Sequence, residues 1–282
     1  MSQKSYDNTP TLYLIPTPIG NLEDITLRAI NTLKEVEVIF SEDTRVTKQL
    51  LNHLNINKKL VSSHKFNEET NKDKLLRYLS NNYDVGLVTD RGTPIISDPG
   101  YELVKIAIEN NYNVVSLPGA TAFVPALTVS GLSPQPFLFY GFLNNKNSKR
   151  EKELEQLKEY PFTLIFYEAP HRIIETLTSI KKVLGNRNIC ISREISKKYE
   201  EIYRDTVDNL IDQMKEIKGE LVIVVSGNKN EKSYDNINII EHVNLYIMNG
   251  NTKNDAIKMC AKDRGMSKSE VYKEYHRGEI WN

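Results

Sequence analysis

Three short segments bring glycine, proline and polar side chains together where a chain could grip a small molecule: IPTPIGNLED from residue 15, DRGTPIISDPG from residue 90 and PGATA from residue 118. Glycine lets backbone come close to a ligand, and proline sets the loop before the ligand arrives. Polar groups that could handle a proton or a phosphate stand apart from these loops: Glu42, Asp43 and Arg45 in SEDTR, His64, Asn67 and Glu68 in SSHKFNEE, and Arg28. Glu42 or Glu68 could accept a proton, and Arg28 or Arg45 could hold a phosphate. The residue types single out no one base. Asp43 and Asn67 also stand where they would cap the helices that follow them.

Absent motifs narrow the chemistry. No two glycines are separated by one residue, so GxGxxG is missing, and GxxxxGK[ST], HExxH and GxSxG are missing too. His171 and Glu175 stand four apart without a third ligand nearby, so no metal is expected. A polar ligand without phosphates, such as S-adenosylmethionine, suits backbone donors and acceptors plus one carboxylate, and Asp90 is the natural carboxylate.

The elements that must position these loops follow a βαβ rhythm. TLYLI, EVIF, DVGLVTD and NVVSL read as strands, alternating with the helical segments ITLRAINTLKEV, TRVTKQLLNHL and YELVKIAIENN. The three Gly/Pro loops directly follow strands, and in such sheets ligands bind outside the strands' carboxyl ends. A second series, FLFYGF, TLIFYEA, NICISRE and ELVIVVSG, predicts another lobe, with HRIIETLTSIKKVL as its clearest helix. The reading is α/β and two-lobed: residues 11–120, then 121–227, a polar linker at 228–238, and a helix-turn-helix-like extension at 239–282. In that extension Gly250 and Gly265 end two helices, and Ser267 with Glu270 forms a capping box.

LYLIPTPIGNLEDITLRAI, SEDTR, TDRGTPIISDPGYELV, SLPGATA, TLIFYEAPHRI and SREISKKYEE follow one another as in the small-subunit (16S) ribosomal RNA (cytidine-2'-O-)-methyltransferase I family, which the chain resembles over residues 11–227. That family resembles a branch of the tetrapyrrole (precorrin) methylases. The resemblance implies a tetrapyrrole-methylase-like fold, a homodimer, S-adenosylmethionine between the lobes, and methylation of a cytidine ribose near the decoding centre. Matched position by position, it implies a donor site of Pro16, Gly20, Asp90, Gly92, Thr93, Pro94, Gly119, Ala120 and Thr121, closed by Phe166, Tyr167, Leu221 and Val222. Arg91 departs from the family's usual alanine and is expected to turn from the donor pocket or to serve the RNA side.

Thirty-seven basic residues balance thirty-seven acidic ones, so RNA must be met by a local patch. Arg28, His64 and the loop residues Lys146, Lys149 and Arg150 are the expected contacts, with Lys197 and Lys198 as a second small cluster. Two cysteines without paired spacing, and no long apolar run, predict a cytoplasmic protein with no membrane segment. Two other readings compete: a tetrapyrrole C-methyltransferase, and a non-enzymatic nucleic-acid-binding protein acting through the C-terminal helices.

Overall fold

The computed structural model of the chain describes residues 2–5, 7–64, 67–228 and 237–279. Residues Met1–Asn228 form one compact unit and Lys229–Asn282 another. The first unit contains two five-stranded sheets.

The first sheet is built from β1 (Thr11–Leu14), β2 (Val38–Ser41), β3 (Lys59–Ser62), β4 (Val85–Val88) and β5 (Asn113–Ser116). Its order is β3-β2-β4-β1-β5, and each of its pairings is parallel. Parallel neighbours need crossovers, supplied by α1 (Leu27–Glu35), α2 (Thr44–His53), α3 (Glu68–Ser80) and α4 (Tyr101–Glu109). The helices cover both faces. One face buries Leu12, Leu14, Phe40, Leu75 and Leu103, and the other Ile15, Leu33, Ile39, Leu51 and Val88. Burial on both sides explains why β2 and β4 are buried at every position. All five strands point the same way, so the loops after β1, β4 and β5 emerge at one end of the sheet.

The second sheet follows α5 (Phe123–Val129) and runs through β6 (Phe137–Phe142), α6 (Asn147–Leu157), β7 (Thr163–Glu168), α7 (Ile173–Leu184), β8 (Asn188–Arg193), β9 (Glu201–Thr206), α8 (Val207–Gln213) and β10 (Leu221–Val225). Its order is β6-β7-β10-β8-β9. Only β6 and β7 are parallel; the other neighbours are antiparallel. Side chains alternate across the sheet. Leu164 and Phe166 of β7, with Leu221, Ile223 and Val225 of β10, face one core, whereas Ile165, Val222 and Val224 face another, against which Tyr167 packs. Each fully buried Leu, Ile, Val or Phe contributes about 1.5–3 kcal/mol to holding these layers.

Three elements go beyond the sequence reading: β9, α6 and α8. Strand β9 is an edge strand with half-exposed or exposed side chains, so it shows no apolar alternation. The second unit has α9 (Ile239–Met248), α10 (Lys253–Asp263) and α11 (Lys268–Glu279) around Val243, Tyr246, Ile257, Cys260 and Val271. Gly250 and Gly265 follow the C-caps of α9 and α10 in left-handed conformations. Ser267 and Glu270 exchange the two capping hydrogen bonds ahead of α11. Of the linker assigned to 228–238, residues 229–236 lie outside the described residues.

Candidate active site

The loop after β1 and the loop after β4 are joined as a two-residue ladder. Thr17 donates its amide to Gly92 O at 2.9 Å and Gly92 returns the bond at 3.0 Å. The Thr17 hydroxyl donates to Thr89 O at 3.2 Å. Gly92 sits at φ +84°, a left-handed conformation that side chains resist. The third loop packs on the first: a Cβ on Gly119 would lie 2.4 Å from Pro16 Cβ, so only glycine fits there. Thr93 ties the second loop to the third by donating its hydroxyl to Ala120 O at 3.0 Å.

These loops and the second sheet enclose a crevice of about 310 Å3, within the usual range for a small-molecule site. Gly92, Thr93, Thr121, Tyr167, Leu221 and Val222, expected at the donor site, line it. Ile19, from the first loop expected at the donor site, adds apolar wall together with Ile96, Phe142 and Ile195, which the sequence reading did not single out. Pro16, Gly20, Asp90, Pro94, Gly119 and Ala120 are not on its wall. Pro16 and Pro94 are buried within the loops, and Gly20 lies under the Lys197 side chain. Phe166 requires a correction: it is 1% exposed and faces the core packed against α7 and α8, because strand alternation turns it from Tyr167.

Arg91 also corrects an expectation. It lines the crevice, and its guanidinium forms an ion pair with Glu220 of the second lobe. Lys197 reaches the same carboxylate at 2.9 Å and Glu194 at 2.8 Å, so Lys197 is held in an ion-pair cluster rather than offered to a phosphate. Ser196 donates to Asp24 across the same rim. The charged lining comprises one guanidinium, Arg91, and three carboxylates, Asp98, Glu168 and Glu220. Glu168 is internally matched, accepting from Thr176 at 2.5 Å and from the Ala169 amide at 2.8 Å.

Behind the second loop, the acidic residues of SEDTR meet Asp90. The Asp43 amide donates to Asp90 Oδ1 at 3.0 Å, and the Thr89 hydroxyl donates to Glu42 Oε2 at 2.9 Å. Burial, followed by the neighbouring Glu42 and Asp43 charges, pushes the Asp90 carboxyl above the usual carboxylate range against the opposing Asp43 amide bond. Asp43 behaves oppositely. The Arg45 side chain and amide hold it down to about 2, and Arg45 grips both its oxygens. A carboxylate so held is a poor proton acceptor, so Asp43 serves as the N-cap of α2.

Asn67 precedes α3, but its side chain turns back to accept the His64 amide at 2.8 Å instead of capping the helix. Glu68 opens α3; its side chain lies outside the described residues. His64 is half-buried and Arg28 is exposed on α1. Of the expected RNA contacts in the 146–150 segment, Lys146 and Lys149 are exposed. Arg150 is not a surface cation: it is 1% exposed and donates to Ser179 Oγ and Asn147 Oδ1, each at 2.9 Å. Among the described residues no group of three or more His, Cys, Asp or Glu side chains could hold a metal. No described helix is long and apolar enough to cross a membrane.

The fold is found among methylases of known structure. Cobalt precorrin-4 methyltransferase, a cobalamin biosynthetic enzyme, matches with TM-score 0.59 at 17% identity, over 77% of this chain and 94% of that one. Uroporphyrin-III-C-methyltransferase from Thermus thermophilus matches with TM-score 0.56 at 19% identity, over 77% and 94%. The tetrapyrrole (corrin/porphyrin) methylase family matches residues 11–211, so the class is that of a methyltransferase. Relatives called ribosomal RNA small subunit methyltransferase I match over nearly the whole chain. The protein from Bacillus subtilis is 47% identical over 98% of this chain and 97% of its own. That from Halalkalibacterium halodurans is 46% identical over 98% and 99%. The chain belongs to the ribosomal RNA small subunit methyltransferase I family, within the tetrapyrrole methylases.

Proposed function

We propose that this protein transfers a methyl group from S-adenosylmethionine to the 2'-hydroxyl of a cytidine in small-subunit ribosomal RNA, near the decoding centre. The observation that carries the reading is the crevice, together with relatives of nearly equal length named for that RNA. Its wall fits the donor: apolar side chains for a nucleoside, the Thr93 and Thr121 side chains among its few polar groups, and more carboxylates than cations for a positively charged ligand. Bound there, the sulfonium supplies an already activated methyl group.

The protein's part is placement and proton handling. The interlocked loops hold Gly92, Thr93 and Thr121 in position without ordering on binding, so encounter entropy is lost in advance and not at the reacting step. Tyr167, Leu221 and Val222 close the other side. Arg45 holds Asp43, which leaves Glu42 and Glu68 of the first lobe to accept the ribose proton, together with Asp90 behind the crevice wall, whose raised value suits that task. The cytidine and its 2'-oxygen follow from the motif resemblance, as do action as a homodimer and a cytoplasmic location.

The test is transfer of labelled methyl from S-adenosylmethionine to small ribosomal subunits lacking the modification, followed by nucleoside analysis. The expected product is 2'-O-methylcytidine, reduced about a hundredfold by Asp90→Ala, the low end of what proton handling contributes. Donor binding with no RNA product, or methylation of a porphyrinoid instead, would overturn the reading.

A further inference from the structure

β3 is an edge strand, paired only with β2, and between it and α3 lies an open groove of about 580 Å3. The groove carries Lys59, Lys74 and Arg77 with Tyr78 and Tyr83, and no carboxylate lines it. In a chain whose charges balance overall, three cations in one groove make a local field. Lys74 Nζ donates to Asn71 Oδ1 at 3.1 Å, a neutral partner that leaves its charge uncancelled. The Lys59 ammonium stands 5.5 Å from the centre of the Tyr78 ring, and Tyr83 is 47% exposed.

An open strand edge could also take up a peptide strand, but this one is defended against that. The edge carbonyl of Ser62 already accepts from Asn67 Nδ2 at 3.0 Å and Asn71 Nδ2 at 2.8 Å. The strand has only four residues and begins with a lysine, a feature that discourages strand pairing. Cations beside an exposed tyrosine ring are instead what a strand of unpaired nucleotides requires: charge for its phosphates and a flat face for a base. The groove runs the length of β3, from Lys59 and Tyr83 at the amino ends of the strands to Ser62 at the carboxyl end. That carboxyl end lies on the side of the parallel sheet where, two strand spacings or about 10 Å across, the loop after β4 builds the crevice.

We infer that the β3–α3 groove is the track along which single-stranded ribosomal RNA flanking the target nucleotide is held, its phosphates on Lys59, Lys74 and Arg77 and an unpaired base on Tyr83. This rests on the proposed RNA-methylating function and extends it to a substrate path outside the crevice.

The test uses the full chain and an unmodified small-subunit ribosomal RNA transcript, with affinity measured across a series of salt concentrations. The K59A/K74A/R77A variant should bind at least tenfold more weakly at low salt, and its slope of log affinity against log salt should shrink by about two, as three lost single-strand phosphate contacts require. Tyr83→Ala should weaken binding about tenfold with the slope unchanged. Affinity for S-adenosylmethionine should be that of the wild type in both, which also reports that the fold is intact. A triple variant with unaltered RNA affinity and slope would overturn the inference. So would a triple variant that bound RNA normally but lost a protein partner or self-association. A wild-type protein that neither binds nor methylates the transcript or the small subunit is a different result, and removes the functional reading itself.

Discussion

The two lobes build opposite walls of one crevice by different means. The first presents backbone: three loops at the carboxyl ends of parallel strands, locked by Thr17–Gly92 and Thr93–Ala120 bonds. The second presents side chains, and where each one points depends on strand alternation in a largely antiparallel sheet. A wall of interlocked backbone tolerates little substitution at its glycines. A wall of side chains divides its residues sharply into those that shape the cavity and those that hold the sheet.

The second lobe gives the largest effect. Phe166→Ala should cost about 3–5 kcal/mol of stability in denaturant unfolding, as removal of a buried aromatic does, while leaving donor affinity in the folded protein near that of the wild type. Tyr167→Ala should do the reverse, raising the donor KM more than it lowers stability; equal behaviour of the two would break the alternation argument. In the first lobe, Gly119→Ala drives a methyl into Pro16 and should weaken donor binding by roughly a hundredfold in a calorimetric titration, near the upper end of the cost of overpacking. An unchanged affinity would mean that the loops are not interlocked.

Smaller effects belong to the charges. Arg91→Ala removes an ion pair between groups that are more than half exposed, so stability should change by at most about 1 kcal/mol, with the donor KM moving only a few-fold at low salt and less at high salt. Asp90→Asn has a pH signature. Burial raises the native carboxyl, so its contribution to stability is present below the ordinary carboxylate range and lost as pH rises through the native value. The asparagine variant, which cannot ionise, should therefore melt slightly above the wild type at pH 7, and the difference should close below about pH 4. A lower melting temperature at pH 7 would mean that the carboxylate's bond from the Asp43 amide outweighs its burial.

The same contrast explains what the sequence could reveal. Loops of glycine and proline after apolar strands are conspicuous, so the three segments of the first wall were readable from the residues themselves, while Gly92 and Thr93 as donor contacts came from the family resemblance. The second wall came only through family resemblance, which brought Phe166 along with Tyr167 because matching a motif does not distinguish the faces of a strand. Arg150 erred for a related reason. It sits in a run of cations, yet it stands four and seven residues before Leu154 and Leu157 on α6 and shares their buried face. That period was legible; charge composition drew attention away from it. The edge strand β9 was silent because a half-exposed edge imposes no apolar pattern, and the Arg91–Glu220 pair joins residues 129 apart, a proximity that only the fold creates.

The rim contacts Arg91–Glu220 and Ser196–Asp24 are polar and face water. Each such contact costs about 0–1 kcal/mol to part, far less than separating packed apolar surface. The weakest join between the lobes is thus at the mouth of the crevice, where parting these contacts leaves both sheets intact. Dissolved salt, by screening the pair, loosens the opening further.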